Sequence, residues 1–408
     1  MVLIRRHPTI FMGIGITILF MGIWLFRMDF LDTLELKFYD IMMKLRGDSG
    51  ISSDITLIDI DDDSIEKLGR WPWPRSLLAQ GITKVNAGNP KVIGLNIILS
   101  EPEVSDGLAA LKGLKELYLK SVMPQTGDSG VIFLQAINEA QSDLDHDKKL
   151  AEAIKYSGKV VLPVYLKESS VIAEKVRVKN EFLLNQSIQN IRSPVDARYP
   201  RSNEITLPIN LFLKHAKGIG HINLFYDPDG TARRERPIYE YHGVFIPSYT
   251  IKLAALYLNV PRTKIRADIG SALYLGSLKV PITLNSDILI SFKGSTGSFK
   301  RYSFFDVLND KVPASVFKNK IVLISPSAAG IMNPLSTPTD ATMPVGEFSA
   351  HALWSILHNN IIQRPAWNFL AEILMILFIG VMIILVIPRL KALNAGYVFV
   401  GLLIVLIG

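Results

Sequence analysis

Asp59, Asp61 and Asp63 alternate within the run "DIDDD", a spacing that invites a calcium loop. An EF-hand loop starting at Asp59 needs glycine where Ser64 stands and glutamate where Arg70 stands, so that chemistry is excluded and no metal is expected. Directly after comes "GRWPWPR" (69–75), two tryptophans alternating with two prolines between two arginines. A residue before proline is pushed out of the helical region, so Trp71 and Trp73 are expected to be extended and rigidly aimed. Either the segment is a structural corner, with a tryptophan packed beneath the strands, or it is a ligand wall. In the second case Arg70 and Arg75 offer planar forks for a carboxylate or phosphate. The corner is the favoured reading.

Other catalytic constellations are missing. Two S-x-x-K strings (Ser64–Lys67, Ser315–Lys318) lack the accompanying K-T-G. The seven histidines form no H-E-x-x-H and no i, i+4 pair, and His351 and His358 read as a packed helix face. No nucleophile elbow, Walker loop or dinucleotide fingerprint occurs, and no cofactor is expected. There is no cysteine, which excludes disulfides and thiolate metal sites. The net charge of +7 is spread without an arginine-rich run, so no nucleic-acid role is read.

The elements around these residues predict an α/β fold with a mixed, mainly parallel sheet flanked by helices. "DITLIDI" is apolar on both faces, as a covered strand should be. "DSIEKLG" has a short helix's signature, with Asp63 as N-cap and Gly69 as stop. A second helix, "SLLAQGITKVNAG", leads to the strand "KVIGLNIIL". Further strands are read in "KVVLPVYL", "DILISFKG" and "KNKIVLISPSAAG", and a helix in "GEFSAHALWSILHNN". Open sheets bind ligands at the carboxyl ends of their parallel strands. On that rule Asp59, Asn96 and Ser325 are expected at one common edge, with Asp61 in the adjoining loop. Residues 103–142 read as an insertion holding one weak helix and a polar remainder.

The apolar excess sits at the two ends of the chain. "PTIFMGIGITILFMGIWLF" and "FLAEILMILFIGVMIILVI" are each long enough to cross a bilayer. The basic "RRH" before the first and "PRLK" after the second place both flanks in the cytoplasm. The expected organisation is a cytoplasmic tip and first span (1–27), an extracytoplasmic domain (28–365), a second span (366–388), a short basic loop (389–391) and a third span (392–408). That third span has no polar tail, so the native polypeptide is expected to continue. A juxtamembrane helix at 28–46 carries Leu31, Leu34, Phe38, Ile41 and Leu45 at 3-4-3-4 spacing, the seam of a coiled coil or of a helix lying on its own domain. The second alternative is the plainer one, since two heptads do not establish dimerisation.

"ITLIDIDDDSIEKLGRWPWPRSLLAQGI" followed by "KVIGLNIILSEPE" resembles the type-two CHASE domain, an extracellular sensory domain associated with cyclases and histidine kinases. "GHINLFYDPDGTARRERP", "KIVLISPSAAG" and "TPTDATMPVGEFSAHALWSILHNNIIQRPAW" agree in order, so the resemblance runs from Leu31 to Trp367. Asn96 and Asn333 stand where aspartate is usual. The resemblance implies the sensory and membrane part of a bacterial receptor in the cytoplasmic membrane, a homodimer relaying an unknown ligand or envelope partner through its juxtamembrane helices. The implied effector is a class III nucleotide cyclase, otherwise a histidine or Ser/Thr kinase. Two other readings stand beside it: a membrane protein binding an envelope partner through 103–142, and a tethered hydrolase using the Asp59–Asn96–Ser325 edge.

Overall fold

The computed structural model describes residues 8–25, 29–47, 50–121, 123–169, 178–363, 367–386 and 389. The chain divides into two compact units. One is residues 43–362, and the other joins the terminal segments 1–42 and 363–408.

The 43–362 unit is built on a nine-stranded sheet. In chain order its strands are β1 (Ser52–Ile60), β2 (Val92–Leu95), β3 (Val160–Glu168), β4 (Arg201–Thr206), β5 (Gly218–His221), β6 (Ile238–Tyr241), β7 (Val244–Pro247), β8 (Phe299–Ser303) and β9 (Ile321–Pro326). The spatial order is β8-β1-β9-β2-β3-β4-β6-β7, with β5 also beside β3. From β8 to β3, and between β3 and β5, every pairing is parallel. β4 pairs antiparallel with β3, which makes the sheet mixed.

Helices cover both faces, because alternate strand residues point to opposite sides. Ile58 and Ile93 pack in one core with Leu78, Ile82 and Val85 of Arg75–Ala87 and with Leu150 and Ile154 of His146–Ser157. Leu57, Val92 and Leu323 pack in the other core with Ile251 and Leu253 of Tyr249–Tyr257 and with Ala350 and Leu353 of Val345–Leu357. The fold is therefore α/β with helices flanking a mixed sheet. Two small sheets complete it, one four-stranded (including 265–268 and 272–275) and one three-stranded (361–362, 288–290, 234–235).

Three local expectations change. The strand read at "KVIGLNIIL" stops at Leu95, beyond which Asn96 donates its N–H to the Ile324 carbonyl (2.8 Å). The insertion holds two helices, Asp106–Ser121 and Met123–Leu144, packed through Tyr118 and Phe133 (ring centroids 4.9 Å apart). The short helix after β1 spans Asp62–Leu68 and is capped by Asp61, whose carboxylate accepts the Ser64 N–H at 2.9 Å. Asp63, expected as the cap, lies in the first turn and pairs instead with Lys67 four residues on.

In the terminal unit Pro8–Leu25 and Asn368–Val381 are helical. Among the described residues one helix, Asn368–Leu385, is long and apolar enough to cross a membrane, and a shorter apolar run spans Gly13–Gly22. The two helices meet where side chains are small. A Cβ on Gly13 would come within 2.5 Å of Ile384, and one on Gly380 within 2.4 Å of Thr17. Small residues let helix backbones approach closely in this way. The third expected span, 392–408, and the basic "RRH" lie outside the described residues.

The helix Asp29–Arg46 carries the heptad seam. Leu34, Phe38, Ile41 and Leu45 are exposed by 49, 43, 52 and 75%, whereas Tyr39 and Met43 are buried. Leu31 lies in this helix, its side chain outside the described set.

Candidate sensory site at the carboxyl edge

Three sequence-predicted residues meet at the carboxyl edge of the sheet. Asp59 and Ser325 are register partners on β1 and β9, and Asn96 follows β2, with its amide 3.4 Å from the Ser325 hydroxyl. All three are buried. The N-terminus of Val345–Leu357 closes over them, and a Cβ on Gly346 would fall 2.6 Å from that of Ser325.

Two further residues make this edge an ion-pair chain. Arg301 of β8 donates from Nε to Asp59 (2.6 Å) and from Nη1 to Glu347 (2.7 Å). Glu347 is fully buried, and its other oxygen accepts the Gly297 N–H at 2.6 Å. Burial pushes both carboxyls above their ordinary range, and the Arg301 charge opposes the shift at each. Two acids sharing one guanidinium leave a net negative charge in a region of low dielectric.

Beside this chain, where β1 and β9 end, lies a cleft of about 620 Å³. Its walls are Asp62, the turn 327–334 with Asn333, and Thr342 and Pro344 before the helix. The Ser327 and Ala328 N–H groups are held by the Ile60 carbonyl (3.0 Å each), and the Ala329 N–H by Asp62 (3.1 Å). Carboxylate, amide, hydroxyl and backbone groups suit hydrogen bonding to a small polar ligand.

Behind the same helix a smaller cavity of about 20 Å³, room for roughly one water, is lined by His221, Glu235, Tyr249 and Val345. Burial lowers the His221 pKa to about 3, the nearby Arg236 charge adding to the shift. It raises Glu235 to about 7 even though Thr250 donates a hydrogen bond to it.

A family model for the CHASE2 domain matches residues 16–385. The chain belongs to the CHASE2 family. CHASE2 domains are extracellular sensory domains of signalling receptors, not catalysts. No curated protein and no solved structure matches the chain at a significant level.

The other candidate residues of this CHASE2 domain, Arg70 apart, have structural partners. Trp73 is buried, donates from Nε1 to the Gly69 carbonyl (2.8 Å), and stacks on Phe304 with centroids 5.4 Å apart. Trp71 meets Trp73 edge-on at 5.2 Å. The arrangement has the form of a corner. Arg75 is no open fork: its guanidinium binds Asp147 and the Glu101 carbonyl, and its N–H goes to Glu103 (2.8 Å). Arg70 is exposed. Asp61 is engaged by its cap and by the Ser303 hydroxyl at 2.9 Å.

Among the described residues no nucleophile–base pair is hydrogen-bonded at this edge. The Ser325 hydroxyl faces the Asn96 amide and Gly346. His351 is packed between Phe292 and Phe299 and accepts the Lys293 N–H at 3.1 Å. Among the described residues no group of three His, Asp or Glu could hold a metal ion. Sequence reasoning missed Arg301 and Glu347. The one available signal is a lone acid among apolar residues in "GEFSAHALW".

Proposed function

We propose that this chain is the sensory and membrane-anchoring region of a bacterial receptor in the cytoplasmic membrane, with 43–362 on the outer side. One observation carries the reading. The helix Val345–Leu357 starts at the candidate cleft, holds Glu347 in the Asp59–Arg301 chain, and is followed in sequence, ten residues on, by the apolar helix Asn368–Val381. A ligand that fits one position of this helix better biases its equilibrium, by no more than its differential affinity for the two states. The output is a cytoplasmic effector, a class III cyclase or otherwise a histidine or Ser/Thr kinase. Anchoring uses Asn368–Leu385 together with Pro8–Leu25, whose glycine-mediated packing suits membrane helices.

The receptor is a homodimer in this proposal, supported by the exposed Leu34–Phe38–Ile41–Leu45 stripe. The cysteine-free chain gives a clean assay. A single cysteine at position 34 or 41 of the full chain should yield a disulfide-linked dimer on oxidation, and no crosslink at either would remove the seam. Phe38→Ala with Ile41→Ala should change the output of the chain fused to a cyclase catalytic domain severalfold. Unchanged output would take the helix out of the mechanism.

A second reading, an envelope partner bound by the insertion, is favoured by one feature. Leu117, Val131 and Ile132 are exposed on its helical hairpin (62, 56 and 71%). Leu117→Ser with Ile132→Ser should abolish partner capture while leaving thermal stability unchanged, and retained capture would end that reading.

A further inference from the structure

The amino edge of the sheet, opposite the candidate cleft, is lined with lysine. Lys320, Lys91, Lys159 and Lys217 each stand immediately before a strand, and those strands (β9, β2, β3, β5) are lateral neighbours. Backbone bonds tie the row together: Lys91 N–H to the Lys320 carbonyl (2.9 Å), Ile93 N–H to the Lys159 carbonyl (3.0 Å), and Lys217 N–H to the Val160 carbonyl (2.8 Å).

Three of these lysines, Lys91, Lys159 and Lys217, ring a cleft of about 490 Å³ that also presents Ser157 and Asn259, and no acidic residue lines it. A fourth ammonium group, outside the lining, neighbours Lys217. Lys252 is nine-tenths buried, its stem passing so close to the start of β5 that a Cβ on Gly218 would meet its Cε at 2.4 Å. Among the described residues Lys252 has no acidic partner. Burial, then the charges of Arg262 and Lys217, lower its pKa to about 8.

The plainest role for lysine here is to complement helix C-termini. His146–Ser157 and Tyr249–Tyr257 do end at this cleft. Each helix end is equivalent to roughly −0.5 charge, so the two supply about −1. Lys91, Lys159 and Lys217 bring three positive charges to the lining, and Lys252 and Arg262 lie nearby, so among the described residues a surplus of positive charge remains at the cleft.

We propose that this cleft is a binding site for a phosphate-bearing anion. Phosphate oxygens accept hydrogen bonds from several ammonium groups at once, and lysine serves as the point charge in such sites. Lys159 and Lys217 supply the rim, Lys91 is braced over the Tyr257 ring (4.7 Å), and Ser157 and Asn259 add neutral donors. The inference is independent of the sensory reading of the opposite edge.

The test uses the full chain in a nonionic detergent, titrated calorimetrically with inorganic phosphate. A parallel titration uses micelles doped with phosphatidylglycerol or with phosphatidylcholine. Lys159→Gln with Lys217→Gln should weaken binding tenfold or more and leave the thermal melt unchanged. Lys279→Gln, an exposed lysine outside the cleft, should bind as the parent does. Saturable binding of inorganic phosphate, lost in the double variant, identifies a free anion as the ligand. Binding of phosphatidylglycerol alone, lost in the same variant, identifies a lipid headgroup. Saturable binding of neither, or an equal loss in Lys279→Gln, would overturn the site.

Discussion

At the carboxyl edge of the sheet Arg301 stands between Asp59 and Glu347, within 2.7 Å of an oxygen on each side. At the amino edge Lys252 is buried as deeply as Asp59, with Arg262 and Lys217 as its charged neighbours. The two edges belong to the same sheet, yet one neutralises most of its buried charge internally and, among the described residues, the other gives Lys252 no acidic partner. Burying a charge is costly unless it is paired and hydrogen-bonded. A matched edge therefore holds its geometry by itself, and an unmatched one gains from an external counter-charge.

The comparison breaks most severely if Arg301 is removed. Arg301→Ala leaves two buried carboxyls without their cation, and breaking a buried pair typically costs about 3–5 kcal/mol. Asp59 and Glu347 already titrate above their ordinary range. Without Arg301 the folded state holds their protons more tightly than the unfolded chain, so stability falls as pH rises. Thermal melts across pH should show a deficit near neutrality that shrinks in acid. A deficit independent of pH would mean that packing, not charge, is lost.

Lys252→Met acts in the opposite direction. The folded pKa of about 8 against an unfolded 10.5 means that the unfolded chain binds more protons between those values. Wild-type stability should therefore rise with pH across that window, and below it the buried ammonium costs about 3 kcal/mol. Methionine removes this cost, so the variant should melt higher at pH 7, and the gain should fade toward pH 10.5. A lower melt at pH 7 would show that Lys252 already has an internal counter-charge.

Glu235 tests whether the carboxyl edge is uniformly matched. Its pKa of about 7 against an unfolded 4.5 means that the folded state keeps a proton which the unfolded chain loses. Stability is therefore lost as pH rises from 4.5 through 7. Glu235→Gln should be neutral near pH 4 and stabilising by about 2–3 kcal/mol above pH 8. His221 and His351, both held near 3, act in the opposite sense as pH falls below 6.5, so the variant must be compared with wild type at each pH. No gain at pH 8 would place Glu235 among the matched charges.

The contrast also separates what sequence discloses from what it conceals. Covered parallel strands read as continuous apolar runs, and the strand-end rule then brings Asp59, Asn96 and Ser325 to one edge from order alone. Arg301 and Glu347 stay hidden because their local signals have other meanings. "FKRYS" alternates like any strand, and an acid in a first helical turn ordinarily answers the dipole. The partners of Arg75 lie 26 to 72 residues away, so its availability cannot be read locally. The lysine row is equally dispersed, one residue outside each strand, until the strand order assembles it. In the seam, spacing shows that a stripe exists but not which side of the helix is covered.

The smallest expected effect concerns the turn between β1 and the first short helix, where three consecutive aspartates made the cap ambiguous by two positions. Asp61 accepts the Ser64 N–H and also the Ser64 and Ser303 hydroxyls, so it ties the helix start to β8. Asp63 makes a half-exposed pair with Lys67. Removing a capping side chain costs about 1 kcal/mol, and an exposed i, i+4 pair contributes only about 0.3–0.5 kcal/mol. Asp61→Ala should therefore lower the melt more than Asp63→Ala, and the two should add within error in the double variant if they act separately. An equal loss from both would return the cap to Asp63. A loss from Asp61→Ala well above the capping value would show instead that the link to Ser303, and through it to β8 beside Arg301, contributes to holding the matched edge.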